Sequence, residues 1–253
     1  MDLSYDLSAA LEAAEAAARV IRELYAKNIA VELKADKSPV TEADVRAERA
    51  IREVLAARTP DYGFFGEETG RSGSTDTLWL VDPIDGTKAF VREYPMFSTQ
   101  IGLWRDGRLV LGVSSAPLYG ELAWAERGAG AWLNGRPLRV SGVATIEEAA
   151  LSGGNLRTLA AGPGWARYGQ VVQRVSRIRG YGDFLHYHLL AGGKIDAVVE
   201  SDVNILDIAA LVTIVEEAGG RFSALDGGAI GLDTTTVLAT NGKLHAPLLE
   251  ALG

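Results

Sequence analysis

The chain has 253 residues, a formal net charge of −8, no cysteine and three histidines, and 47% of it is hydrophobic. With a pI near 5.0 and a mean hydropathy of +0.07, it can bury a large core, and its acidity weighs against general nucleic-acid or anionic-membrane binding. The missing thiols exclude disulfides, thiolate catalysis and thiolate metal sites, and so few histidines make a His-rich zinc centre a poor reading. No apolar run approaches the roughly 20 residues that span a bilayer, and the acidic start lacks the basic region of a secretory signal; a soluble cytoplasmic protein is expected.

Leu7, Leu11, Ala14, Ala18, Ile21 and Leu24 share one face of a long helix expected over 7–28. A polar connection over 29–40 leads to Thr41, an N-cap with Asp44 at the capping-box position, for a second helix reaching about Arg58. Residues 63–73 read as a loop around Gly66-Glu67-Glu68-Thr69-Gly70. The apolar run 78–81 reads as a buried strand stopping at Asp82, because Pro83 blocks a simple ladder or helical continuation; Gly86-Thr87 then opens a helix. Runs at 97–104, 109–116 and 121–125, with hairpin signals at Asp106-Gly107 and Asn134-Gly135, predict a long antiparallel meander.

After about Leu151 the pattern alternates: helix 171–176, extended 178–180, helix 183–191, strand 197–200, helix 206–218, strands 221–223 and 237–240, helix 243–252. The prediction is an α/β (α+β) fold of mixed sheets layered with helices. Its halves, 1–145 and 146–253, should pack tightly enough to count as one domain.

Acidic residues stand at three breaks in this pattern: Glu67-Glu68 on the glycine-flanked loop, Asp82 and Asp85 at the strand end, and Asp207 at a helix start. Asp44 is a weaker fourth. Singly, each has a plain reading: a solvated loop pair, a turn, a helix-terminal charge, an exposed or capping acid. Together they could converge on one crevice. Two like charges about 4 Å apart repel by roughly 4 kcal/mol at an effective dielectric near 20. Such a pocket must take up protons or hold cations, and all-oxygen ligation favours Mg²⁺ over zinc. Helix-terminal N–H groups at Gly86-Thr87 would suit a metal-bound phosphate.

The blocks Gly66-Glu67-Glu68, Trp79-Leu80-Val81-Asp82-Pro83-Ile84-Asp85-Gly86-Thr87 and Leu206-Asp207-Ile208-Ala209-Ala210, in that order, resemble the inositol monophosphatase family. Val215-Glu216-Glu217-Ala218-Gly219-Gly220 extends the likeness over nearly the whole chain. The resemblance implies a layered α-β-α-β-α, sugar-phosphatase-like sandwich and a Mg²⁺-dependent phosphomonoesterase. It places a first Mg²⁺ on Glu67, Asp82 and the Ile84 carbonyl, and a second on Asp82, Asp85 and Asp207. A third, looser ion would lean on Glu67, and Mn²⁺ is an alternative metal. The amides of Gly86 and Thr87 would bind phosphate; Thr87, backed by Asp44, and Glu67 through a bound metal would orient and deprotonate the attacking water, with Glu68 behind. One departure is Leu206, where the family usually has Trp.

Two metals about 3.5–4 Å apart can activate a water and stabilise the leaving oxygen in an in-line displacement, and no phosphoenzyme is expected. In Gly180-Tyr181-Gly182-Asp183-Phe184 an acid stands where inositol phosphatases more usually have Thr or Ser, and Gly-Asp before an aromatic resembles the histidinol-phosphate phosphatase branch. Asp183 and Glu200 could bind a substrate ammonium, with Asn155 lining the same pocket; Asp183 could equally cap the helix that follows. Histidinol phosphate is slightly favoured, with inositol 1-phosphate or a related polyol or sugar phosphate as the alternative. A non-catalytic phosphometabolite-binding protein is the reading from another class. His186 and His188, two apart on a helix, read as surface or interface residues. A homodimer through the meander or the Trp165 region is expected, with a small phosphorylated metabolite as the partner.

Overall fold

The computed structural model describes residues 3–25, 27, 31–33 and 39–253. Helix α1 (Tyr5–Leu24) starts where Ser4 Oγ accepts the Leu7 N–H at 3.0 Å. The expected polar connection lies largely outside the described residues, but its ends, β1 (Val31–Leu33) and β2 (Pro39–Thr41), pair antiparallel. Helix α2 (Glu42–Arg58) opens on the predicted capping box of Thr41 and Asp44.

The segment expected as a loop is a hairpin, β3 (Gly63–Gly66) and β4 (Gly70–Ser72), paired at Gly66 and Gly70. Its glycines sit where side chains have no room: a Cβ at Gly63 would lie 1.9 Å from Ser74 O. Glycine carries almost no strand signal, so close packing hid the strand. Strand β5 (Thr77–Asp85) does not stop at Asp82 either. It runs through Pro83 to Asp85, with its register to the next strand shifting between the two aspartates. A bulge is where a strand tolerates a residue without an N–H.

A short helix α3 (Thr87–Val91) leads into the meander of β6 (Ser98–Arg105), β7 (Arg108–Ala116), β8 (Glu121–Glu126), β9 (Gly130–Leu133) and β10 (Arg136–Pro137). These form an eight-stranded sheet in the order β10-β9-β8-β7-β6-β5-β3-β4, antiparallel except where β3 runs parallel to β5. The second half supplies β11 (Ala150–Gly154), α4 (Leu156–Ala161), α5 (Trp165–Arg174), β12 (Arg177–Arg179), α6 (Asp183–Ala191), β13 (Ala197–Ser201), α7 (Ile205–Glu217), β14 (Arg221–Ser223), β15 (Thr236–Thr240) and α8 (His245–Leu252). Helix α5 begins at Trp165, earlier than expected, and β11 ends in a Gly-Gly pair that masked it. The second sheet, β12-β11-β13-β15-β14, is parallel on one side and antiparallel on the other.

Strand alternation builds the layers. Trp79 and Val81 of β5 pack with Leu7, Ile21, Ile51 and Leu55 of α1 and α2, whereas Leu78 and Leu80 face Leu190, Ile208 and Leu211 of α6 and α7. In the second sheet, Val198 and Ala239 join that central core, while Val199 and Leu238 turn outward to Tyr168, Val171 and Leu248. The architecture is the expected α-β-α-β-α sandwich of two mixed sheets. No helix among the described residues is long and apolar enough to cross a membrane.

Candidate active site

The bulge in β5 sets the geometry. Asp82 is buried, and its Oδ1 accepts the Ile84 N–H at 2.9 Å, which turns the chain back on itself. Asp85 follows at a partly open rim. Gly86 then adopts φ +92, and a Cβ there would stand 2.7 Å from Met96 O, so sterics and backbone both require glycine. Thr87 opens α3, whose first N–H groups have no partner within the helix. Its Oγ1 lies 3.0 Å from Ile84 O and 3.2 Å from Asp44 Oδ1.

Asp44 is not an exposed acid. It is buried, and its Oδ2 accepts both the Thr41 N–H (2.8 Å) and the Thr41 hydroxyl (2.7 Å). Burial raises its pKa, and those two donors offset the rise just in part.

Parallel pairing of β3 with β5 brings Glu67 to the same place, since its N–H donates to Val81 O at 3.1 Å. Its side chain meets the Asp82 carboxyl. The pair Glu67-Glu68 is half-buried on the hairpin turn rather than solvated. A residue without a place in the sequence reading holds that turn. Glu48 is buried on α2, accepting the N–H of Glu68 at 2.7 Å and of Thr69 at 2.9 Å. A Cβ at Gly66 would be 2.5 Å from the Glu48 carboxylate. The available signal was spacing: Glu48 lies one helical turn after Asp44, on the same face.

Asp207 arrives from the second half of the chain. It occupies the third position of α7, accepting the N–H of Asn204 at 2.8 Å and its side-chain amide at 2.6 Å. Helix α7 reaches the first sheet because paired Gly102 and Gly112 leave a flat track beneath it. A Cβ at Gly112 would lie 2.2 Å from Ala210 O, and one at Gly102 2.7 Å from the Ala209 Cβ. Leu206, at the position the family usually gives to Trp, is buried in the central core. Asp82, Asp85 and Asp207 thereby each offer an oxygen, all within 4.8 Å of one another.

Burial first, and then the neighbouring acids Glu67, Asp85 and Asp207, push the Asp82 pKa well above the usual carboxylate range. Asp85 is raised in the same way by burial, with Asp183 the largest charge contribution. Asp207 is pushed up to about 7, again chiefly by burial and against the Asn204 donors. The chain supplies no cation in contact with these three oxygens among its described residues. A hard, all-oxygen donor set held at such spacing fits a divalent cation.

Across the cleft, Asp85, Asp183, Glu200 and Asp207 line one cavity with Asn155 and Tyr187. Asp183 does not cap its helix: Gly182 is the N-cap of α6, and no side-chain cap bond forms. Asp183 has φ +45, and its pKa rises to about 6 through burial and Glu200, countered by His186 and Lys88.

The two histidines correct the surface reading. His186 is fully buried with Nε2 3.1 Å from Glu200 Oε2; His188 is buried with Nδ1 2.7 Å from Glu121 Oε2 and Nε2 2.9 Å from Ser114 Oγ. Helix α6 lies between two sheets, so residues two apart are both inside.

Residues 2–253 match the model of the inositol monophosphatase family. Among curated relatives, a histidinol-phosphatase of Mycobacterium tuberculosis is 42% identical over 98% of this chain and 97% of its own length. An inositol-1-monophosphatase of Caulobacter vibrioides is 36% identical over 96% of this chain and 98% of its own. Among solved structures, the extragenic suppressor protein suhB of Bartonella henselae superposes with a TM-score of 0.91 at 32% identity, covering 98% of both chains. These relatives, the matched length and the convergent carboxylates lead to one conclusion: the chain belongs to the inositol monophosphatase family, whose members are phosphatases acting on phosphate monoesters.

Proposed function

We propose that the chain is a Mg²⁺-dependent phosphatase of a small, amine-bearing phosphate ester, histidinol phosphate being favoured. The observation that carries the metal dependence is the triad of Asp82, Asp85 and Asp207 oxygens within 4.8 Å, raised in pKa and without a cationic partner among the described residues. Glu67, Asp82 and the Ile84 carbonyl would hold one ion, and Asp82, Asp85 and Asp207 another, with a third leaning on Glu67. When bound, such ions supply a more acidic attacking water and charge neutralisation at the phosphoryl and leaving oxygens.

The protein's own groups do the rest. The amides of Gly86 and Thr87 receive phosphoryl oxygens at the start of α3. Thr87 spends its hydroxyl proton on Asp44 or on the Ile84 carbonyl, which leaves its lone pairs to accept from the attacking water. Glu67 would help deprotonate the water through the ion it holds, with Glu68 next to it on the turn that Glu48 fixes. Asp183 and Glu200 face the leaving group, where two carboxylates in one cavity favour an ammonium.

The name of the Mycobacterium tuberculosis relative supports this substrate; the inositol-1-monophosphatase names favour inositol 1-phosphate as the second reading. Steady-state kinetics on a panel of small phosphomonoesters, with and without EDTA, tests both parts. Turnover should vanish in EDTA, return with Mg²⁺, and be most efficient on the amine-bearing ester. Chelator-indifferent turnover removes the metal site. A preference for inositol 1-phosphate that Asp183→Ala leaves intact removes the ammonium.

A further inference from the structure

We infer that Gly154, His186 and Tyr187 form a clamp that presets Glu200 as the substrate-selecting residue. This rests on the reading that Glu200 faces the leaving group. Glu200 has three flexible side-chain torsions and shares its cavity with Asp85, Asp183 and Asp207. Left to itself, a carboxylate there would swing away from the like charges around it. Three neighbours prevent this.

Tyr187 donates its hydroxyl to Glu200 Oε2 at 2.7 Å, and His186 Nε2 lies 3.1 Å from the same oxygen. The proton on His186 follows from its partners on either side. Ser152 Oγ accepts the Tyr181 N–H at 3.2 Å and sits 3.3 Å from His186 Nδ1. At the other end Glu200 Oε2, a carboxylate oxygen, can only accept, so Nε2–H donates to it and Nδ1 is left to meet the Ser152 hydroxyl. Both donors are rigid. The Tyr187 ring is fully buried, stacked on Phe222 at 5.5 Å and met edge-on by His186 at 4.2 Å.

Both of those donors go to Oε2. Oε1 receives no hydrogen bond from a described residue, and it lies over Gly154, where a Cβ would come within 2.0 Å of it. Strand β11 thus keeps a bare backbone beside β13, with Gly154 paired to Glu200 itself, and the carboxylate lies flat across it. One oxygen is spent on holding position, and the other is presented to the leaving group. A preset acceptor binds without first being ordered, which is how a pocket discriminates between leaving groups of similar size.

A double-mutant cycle of Tyr187→Phe and Glu200→Ala tests the clamp, because Phe keeps the stacked ring and removes only the donor. With saturating Mg²⁺, kcat and KM are measured on histidinol phosphate and on inositol 1-phosphate. Tyr187→Phe should raise KM for the preferred substrate about tenfold, the worth of one hydrogen bond to a charged group, with kcat within about twofold. Combined with Glu200→Ala, it should add nothing further, since nothing remains to hold. Additive losses, or an unchanged KM in the single variant, overturn the clamp. If the wild-type enzyme prefers the neutral ester, the ammonium reading fails by itself. The cycle still decides the clamp, because Oε1 then accepts a hydroxyl.

Discussion

On the sheet-end side of the cleft, Asp82, Asp85 and Asp207 crowd three carboxylates together, and among the described residues no cation meets them, just backbone and amide donors and the acid of Glu67. On the α6 side, Glu200 is buried as well, yet two rigid side chains donate to one of its oxygens. The first arrangement is costly by itself, because burial and mutual repulsion both disfavour the ionised form. The second holds its carboxylate in place before any ligand arrives, with Oε1 kept for the ligand. Charge the fold leaves unmet has to be met from solution, whereas charge the fold satisfies serves shape and selection.

Replacing Asp82 by Asn should separate the two sides most sharply. It removes a buried, repelled carboxylate, so kcat/KM should fall by about a thousandfold or more, in keeping with the several kcal/mol a metal contributes. Thermal stability in EDTA at pH 8 should hold or rise. Near-normal turnover places Asp82 outside the site. Glu200→Ala should do the reverse in EDTA, losing stability because it strands the buried Tyr187 hydroxyl and His186 Nε2–H, where Asp82→Asn does not; equal relief from both variants breaks the comparison.

The chelated protein should also show the difference in its pH dependence. Asp207 titrates near 7, and Asp82 and Asp85 are raised above the ordinary carboxylate range, so between about pH 4 and 7 the folded state holds more protons than the unfolded one. Stability then falls as pH rises through that window. The melting temperature in EDTA should be higher at pH 5 than at pH 8. Mg²⁺ at about 100 times its Kd should return roughly 2.7 kcal/mol at pH 8. A flat profile in EDTA, or no response to Mg²⁺, contradicts the cluster's electrostatics.

The turn and two of the acids on the sheet-end side were legible in the sequence, because one contiguous block, 82–87, carries them. The capping box at Thr41 and Asp44 was equally plain, although its second task at Thr87 needed coordinates. The α6 side was opaque for a physical reason. Histidines two apart on a helix normally part company between core and solvent, and here both are buried by sheets above and below. The hairpin carrying Glu67 was hidden by glycines kept for lack of room. Convergence of Asp207 depends on Gly102 and Gly112, whose spacing says nothing until the strands are paired.

That glycine track offers a weaker perturbation of the same site. Gly112→Ala would press a methyl into backbone, 2.2 Å from Ala210 O, so α7 must lift. Overpacking of this kind costs about 1–3 kcal/mol, and the lifted helix takes Asp207 with it. The expected result is a lower melting temperature together with weaker Mg²⁺ affinity by calorimetry. A variant that loses stability but binds Mg²⁺ normally would mean that Asp207 is positioned by its Asn204 cap alone.

Glu48 should give the smallest and most discriminating effect. It touches none of the reacting groups, but its two oxygens hold the N–H groups of Glu68 and Thr69 and so fix the turn bearing Glu67. Gln in its place keeps one acceptor and turns an amide donor toward the other N–H, so one of the two bonds is lost. Loosening a support of this kind typically costs about tenfold or more in metal affinity. Because the defect lies in holding the ion, excess Mg²⁺ should restore kcat, whereas it should do nothing for Tyr187→Phe. Rescue of one variant and not the other keeps the two sides of the cleft distinct. Rescue of both would mean that Glu200, too, owes its position to the ions.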